Sequence, residues 1–153
     1  MKWKEIFILK VVIQRVTEAS VSINGSIHGK IKKGLMILIG IAADDTTEQA
    51  DWIAHKIANM RIFEDNENHM NRSLLDTGGE ILAISQFTLY ADCKKGNRPN
   101  FMAAGRPQMA EPLYEYLCNA LRALGIHVET GKFGADMQVS LINNGPVTIV
   151  LEH

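Results

Sequence analysis

Two short segments place polar groups at spacings that could do chemistry. In Ser85-Gln86-Phe87-Thr88-Leu89, two hydroxyls and an amide stand beside an aromatic ring and an aliphatic chain. On a strand, Ser85, Phe87 and Leu89 share one face while Gln86 and Thr88 share the other. If the Gln86 and Thr88 face is solvated it needs no account; if it is buried, its polar groups require partners or a ligand. A threonine hydroxyl acts as a nucleophile only beside a base, and no His, Lys or carboxylate lies within this segment.

The second segment, Asn144-Gly145-Pro146-Val147-Thr148, separates two apolar runs near the end of the chain. A Gly-Pro turn is ordinary hairpin chemistry. Yet an X-Pro bond adopts the cis form at a cost of only about 0.5 to 1 kcal/mol, and glycine reaches backbone angles closed to other residues. Together Gly145 and Pro146 can present main-chain carbonyls that a turn would normally fold away.

Charge distribution adds a third feature. From Cys93 to Ala110 there is no acidic residue, while Lys94, Lys95, Arg98 and Arg106 are all present. Such a stretch either meets a few phosphates or is a solvated basic loop. Gly96, Pro99, Gly105 and Pro107 supply turn signals throughout it.

Other motifs fail on inspection. Asp65, Glu67 and His69 fit the first half of a calcium loop, but Met70 stands where that loop needs glycine. Cys93 and Cys118 form no Cys-x-x-Cys pair, and His28, His55, His69, His127 and His153 are scattered singly, so neither a structural zinc nor a metalloenzyme is expected. Gly25, Gly29 and Gly34 match no phosphate cradle, so no nucleotide cofactor is indicated.

The elements that must position these residues follow from length and pattern. With 153 residues, 46% of them hydrophobic, and a net charge of -1, the chain suits one ordinary core and excludes disordered or supercharged classes. The four apolar residues Ile6 to Leu9 are too few for a signal-peptide core, and no run is long enough to cross a membrane, so a soluble cytoplasmic protein is expected. Val11 to Ile13 and Ala19 to Ile23 read as two strands, with Asn24-Gly25 as a tight hairpin turn. The apolar run Leu35 to Ala42 predicts a central strand buried on both faces. Helical spacing begins after Thr46, which pairs with Gln49 in a capping box, and ends near Arg61. Glu64 to Ser73 reads as polar turns, and Ile81 to Ala91 as a long strand. A second helix is predicted from about Met109 to Leu124, with Pro112 in its first turn, because an interior proline costs about 3 kcal/mol. Strands close the chain at 126–129, 137–143 and 147–152. The order shows no β-α-β alternation, which predicts an α+β domain of mostly antiparallel β-sheets, barrel-like or layered, covered by two main helices.

The segments SQFTL at 85–89 and NGPVT at 144–148 resemble the paired signatures of the D-aminoacyl-tRNA deacylases, also called D-tyrosyl-tRNA deacylases. VIQRVTEASVSI, RIFEDNENHMN, NRPNF and TGKFGADMQVSLINNGPVT are similar to that family in order and spacing. The resemblance covers residues 10–153 as a single domain and leaves 1–9 as an N-terminal extension.

It implies a cytoplasmic homodimer, without metal or cofactor, that hydrolyses the ester joining a D-amino acid to the terminal adenosine of tRNA. Ser85, Gln86, Phe87, Thr88 and Leu89 would line the pocket for adenosine and ester. Gly145 and Pro146, flanked by Asn144 and Thr148, would reach into the partner's site as a Gly-cisPro motif. Their carbonyls would accept hydrogen bonds from the substrate ammonium and fill the space an L side chain needs. Glycine has no Cβ, so such a filter would also pass glycyl-tRNA, including glycine mischarged onto tRNA(Ala). Water attack assisted by the adenosine 2′-hydroxyl, with amides near Phe87 and Thr88 stabilising the oxyanion, is preferred over attack by Thr88. Arg15 would hold the Gly-Pro loop, Met137 close the pocket, Phe101 stack on adenine, and Lys94, Lys95 and Arg98 touch acceptor-end phosphates. The rival is a non-catalytic nucleic-acid-binding dimer of the same fold.

Overall fold

The computed structural model describes residues 8–153. Within the segment 1–9, residues 1–7 lie outside the described residues, but Leu9 is fully buried and exchanges backbone hydrogen bonds with His153. The fold therefore includes Leu9 rather than starting after it.

One strand organises the rest. β1 (Lys10–Ile23) is continuous where two strands were expected, because within its middle Gln14 and Val16 are paired on both edges. The Asn24-Gly25 turn, with φ of 50° and 81°, returns the chain into β2 (Ser26–Ile31), as a two-residue hairpin with both angles positive requires. β3 (Gly34–Gly40) then lies antiparallel to the first half of β1. α1 (Thr47–Asn59) starts where the Thr46 N–H donates to Gln49 Oε1 at 2.7 Å. The polar stretch after it contains a two-stranded hairpin, β4 (Phe63–Glu64) and β5 (Met70–Arg72), and is followed by the short α2 (Leu74–Thr77).

β6 (Glu80–Ser85) runs parallel to β3. α3 (Pro107–Ala123) leads to β7 (Val128–Thr130), parallel to β6. The pattern of apolar residues hid these two crossovers, since long loops interrupt the alternation. β8 (Gln138–Glu152) pairs antiparallel along nearly all of β1. The main sheet has the order β2-β1-β3-β6-β7 with β8 on the other edge of β1, and antiparallel pairings predominate. His28 Nδ1 lies 2.9 Å from the Thr130 carbonyl, so β2 meets β7 and the sheet curls into a nearly closed barrel.

Burial on both faces of β3 and β6 explains their continuous apolar runs. Leu35, Ile37, Ile39, Ile81 and Ala83 pack beneath α1 and α3, while Met36, Leu82 and Ile84 join Val16, Val21 and Ile31 inside the barrel. In α3, Pro107 rather than Pro112 occupies the first turn. Pro112 lies further inside, on the exposed side, where its missing N–H leaves the Gln108 carbonyl to solvent. Among the described residues no helix is long and apolar enough to cross a membrane.

Candidate functional site

The carboxyl ends of the parallel strands β3, β6 and β7 emerge together, which is where α/β crossovers leave a crevice. At the end of β6 the chain does not continue as a strand to Ala91. It stops at Ser85, and Phe87–Tyr90 form a 3-10 turn. The reason lies in β3. The Gln86 N–H donates to the Ile39 carbonyl at 2.8 Å, and Gly40 then offers a surface without a side chain. A Cβ on Gly40 would stand 2.9 Å from Leu89 Cβ and 3.2 Å from the Tyr90 ring, so the turn folds down onto a position that only glycine leaves open.

Because of this turn, Gln86 and Thr88 do not share a strand face; the Gln86 amide Nε2 instead donates to Thr88 Oγ1. Ser85 and Leu89 are half-buried, and Phe87 and Thr88 are exposed. A 3-10 turn gives its first N–H groups no acceptor within the turn, and here those belong to Phe87 and Thr88. Burial pushes the Tyr90 hydroxyl above its ordinary value, with the Asp45 charge adding to the effect, and that hydroxyl has no hydrogen-bond partner among the described residues. Burial likewise raises the Asp45 carboxyl, which accepts from the Ala42 N–H at 2.6 Å and holds the chain beside Tyr90.

The basic segment folds over this turn. Asp92 and Asn100 pair backbone to backbone, and Gly105 N–H donates to the Ile41 carbonyl at 2.7 Å, so both ends of the loop are tied down. Phe101 meets Phe87 edge to face at 5.2 Å between ring centres. Lys94, Lys95 and Arg98 are exposed on the same loop, and Lys94 borders an open pocket of about 590 Å³ formed with Leu89, Tyr90 and Lys10. Met137 packs against the barrel core and stands beside Gly131, at the end of β7.

Gly145 and Pro146 occupy a different place. Gln14 pairs with Thr148 and Val16 with Asn143, so the four residues 144–147 stand opposite Arg15 alone. This is a large bulge in the middle of β8. The Gly145–Pro146 bond is cis, and Asn144, Gly145, Pro146 and Thr148 are exposed. Gly145 has a φ of 134°, and a Cβ there would meet Arg15 Nη2 at 3.0 Å. Arg15 is only 4% exposed. Its Nε donates to the Asn144 carbonyl at 3.0 Å and its Nη1 to the Ile62 carbonyl at 2.7 Å, with Glu64 at 3.5 Å as counter-charge. Thr148 Oγ1 accepts from Gln14 Nε2 at 3.2 Å.

Within one chain these two sites are apart. Register places Arg15 beside Leu35 and Leu35 beside Ile81, whereas Ser85 lies four positions further along β6. That is about 13 Å along the strands and three strand spacings, about 14 Å, across them. Ser85 to Leu89 and Phe101 come together; Gly145 and Pro146 do not join them. Two contributors escaped the sequence reading. Gly40 was signalled only as a glycine at the end of an apolar run. Asn143 adjoins Asn144 as an amide doublet before the Gly-Pro pair, and its own side chain bonds Val147.

The fold is an α+β barrel, and the groups exposed at its two candidate sites are main-chain amides, carbonyls and hydroxyls. The pattern of the D-Tyr-tRNA(Tyr) deacylase family matches residues 12–152. The chain belongs to this family and is a hydrolase. It is 58% identical to a D-aminoacyl-tRNA deacylase of Brevibacillus brevis over 144 residues, which cover 94% of this chain and 99% of the relative. It is 57% identical to one of a Geobacillus species, covering 94% and 95%. The solved structure of a c-Myc DNA Unwinding Element Binding Protein superposes with a TM-score of 0.88 at 42% identity, covering 94% of this chain and 98% of that one. A probable eukaryotic D-amino acid tRNA deacylase, 18% identical, shares the fold with a TM-score of 0.84 over 95% of this chain and 100% of its own.

Proposed function

We propose that the protein hydrolyses the ester between a D-amino acid and the terminal adenosine of tRNA in the cytoplasm, as a homodimer whose every site takes groups from two chains. The observation that carries this reading is the bulge: a buried arginine ties down the Asn144 carbonyl, and Gly145 and Pro146 next to it stand exposed where the same chain's Ser85–Leu89 turn does not reach. A second subunit would bring the two together.

In that site the Ser85–Leu89 turn holds the terminal adenosine and the ester, with Phe101 beside Phe87 as a stacking surface for the base. Carbonyls of the partner's Gly-Pro pair accept from the substrate ammonium and occupy the side of Cα where an L side chain would project. Specificity by exclusion suits an editor that must accept many side chains, and glycine passes the same filter. Water, oriented by the adenosine 2′-hydroxyl, attacks the ester carbonyl. The N–H groups of Phe87 and Thr88 stabilise the oxyanion, and the ester oxygen leaves as the tRNA hydroxyl. Lys94, Lys95 and Arg98 meet phosphates at the acceptor end, and Met137 borders the pocket.

The test is complementation. Phe87→Ala and Pro146→Ala proteins are each expected to lose most hydrolysis of D-tyrosyl-tRNA. After unfolding and refolding together, mixed dimers would regain one intact site and part of the activity. A mixture no more active than its parents, while wild type is active, would contradict a site shared across chains. A second reading, nucleic-acid binding without hydrolysis, is favoured by one observation, the relative named for binding a DNA unwinding element; it predicts binding with no turnover by wild type.

A further inference from the structure

We infer that Asn143 is a positioning residue for the chiral filter, a side-chain clamp that gives the 144–147 bulge its shape; the inference rests on the role proposed above for Gly145 and Pro146. A bulge of four residues opposite one breaks the β1–β8 ladder and leaves its two ends without the cross-strand bonds that hold a regular strand. Arg15 fixes only the first residue, through the Asn144 carbonyl.

The neck is closed by Asn143. Its Oδ1 accepts from the Val147 N–H at 3.1 Å, and its Nδ2 donates to the Val147 carbonyl, also at 3.1 Å. One amide side chain thus satisfies both backbone groups of a single residue, the pairing that an opposing strand residue would supply. Gly145 and Pro146 stand between the two fixed points and outside the β1–β8 register, so their carbonyls are left for another group. The clamp needs a donor and an acceptor on one short side chain. Asparagine has both; an ionised aspartate has only acceptors and would face the Val147 carbonyl with a negative charge.

This chemistry gives a test with a pH signature. In the full-length protein, Asn143→Asp is expected to lower kcat for D-tyrosyl-tRNA about tenfold or more at pH 7.5, as misplaced groups do, with KM changed less than about twofold. Expressed as a ratio to wild type at the same pH, the rate should recover as pH falls toward about 4 to 5. There the new carboxyl becomes protonated and its O–H replaces the amide donor. Wild-type rates for Asn143→Asp at pH 7.5, or a deficit that does not change with pH, would overturn the clamp.

Amide hydrogen exchange of Val147 in the wild-type protein decides the matter if the variant does not fold. Protection of this amide is expected, and exchange as fast as at exposed Lys95 and Gly96 would overturn the inference. Wild type inactive on every ester, with Val147 protected, would instead remove the proposed function and with it the clamp's role in chirality, while the clamp itself stood.

Discussion

Arg15 ties the first residue of the bulge to the body of the fold. Its guanidinium reaches two segments far apart in sequence, around Ile62 and at Asn144, and removing it leaves both carbonyls without their donor. An unsatisfied buried group costs about 1 to 3 kcal/mol, so Arg15→Ala should lower the urea midpoint measurably and abolish most activity. Arg15→Lys should regain little, since an ammonium cannot reproduce the fork. An unchanged midpoint for Arg15→Ala would show that these bonds contribute nothing net. Thr88 is a different case. Its hydroxyl accepts from Gln86, and no base stands within its segment, so Thr88→Ala should keep most of the deacylation rate. A trapped acyl-Thr88 adduct would reverse that assignment. At this scale the sequence showed which segments were unusual, because hydroxyls, an amide and a Gly-Pro pair sat where apolar alternation was expected. It did not show Asn143, whose partner lies four positions away across a bulge that spacing alone does not reveal.

Among the elements, the Phe87–Tyr90 turn depends on the end of β3. Gly40→Ala places a methyl 2.9 Å from Leu89 Cβ, a contact that forces the turn to move. A displacement of about 1 Å at a reacting centre can cost about a hundredfold, so kcat should fall by ten- to a hundredfold while far-UV circular dichroism stays native. Full activity in Gly40→Ala would mean that the turn is not part of the site. Elements set by local chemistry were legible in advance: the Asn24-Gly25 hairpin, the Thr46–Gln49 capping box and the doubly buried β3. Elements set by tertiary contact were not. The run from Ile81 to Ala91 has the composition of one strand, and only the space above Gly40 bends it into a turn after Ser85. The parallel crossovers to β6 and β7 were hidden because long intervening loops break up the alternation of strand and helix. Pro112 sits inside α3 because Pro107 already starts the helix and Leu113, Leu117 and Leu121 still reach the core.

For the whole molecule, β8 is the telling surface. Among the described residues it pairs only with β1, and Ile142 and Val150 are 53% and 58% exposed on its outer face, on either side of the bulge. An edge strand with exposed apolar residues is where a second copy would seat, and a subunit there would sit against Gly145 and Pro146. Ile142→Asp combined with Val150→Asp should therefore shift sedimentation from dimer to monomer and remove activity together; an active monomer would contradict the shared site. The central claim is chiral hydrolysis, and the most direct measurement compares D-tyrosyl-tRNA with L-tyrosyl-tRNA over time with purified wild-type protein. Rapid loss of the D ester with the L ester spared is the expected result; loss of both at similar rates, or of neither faster than in buffer, would contradict it.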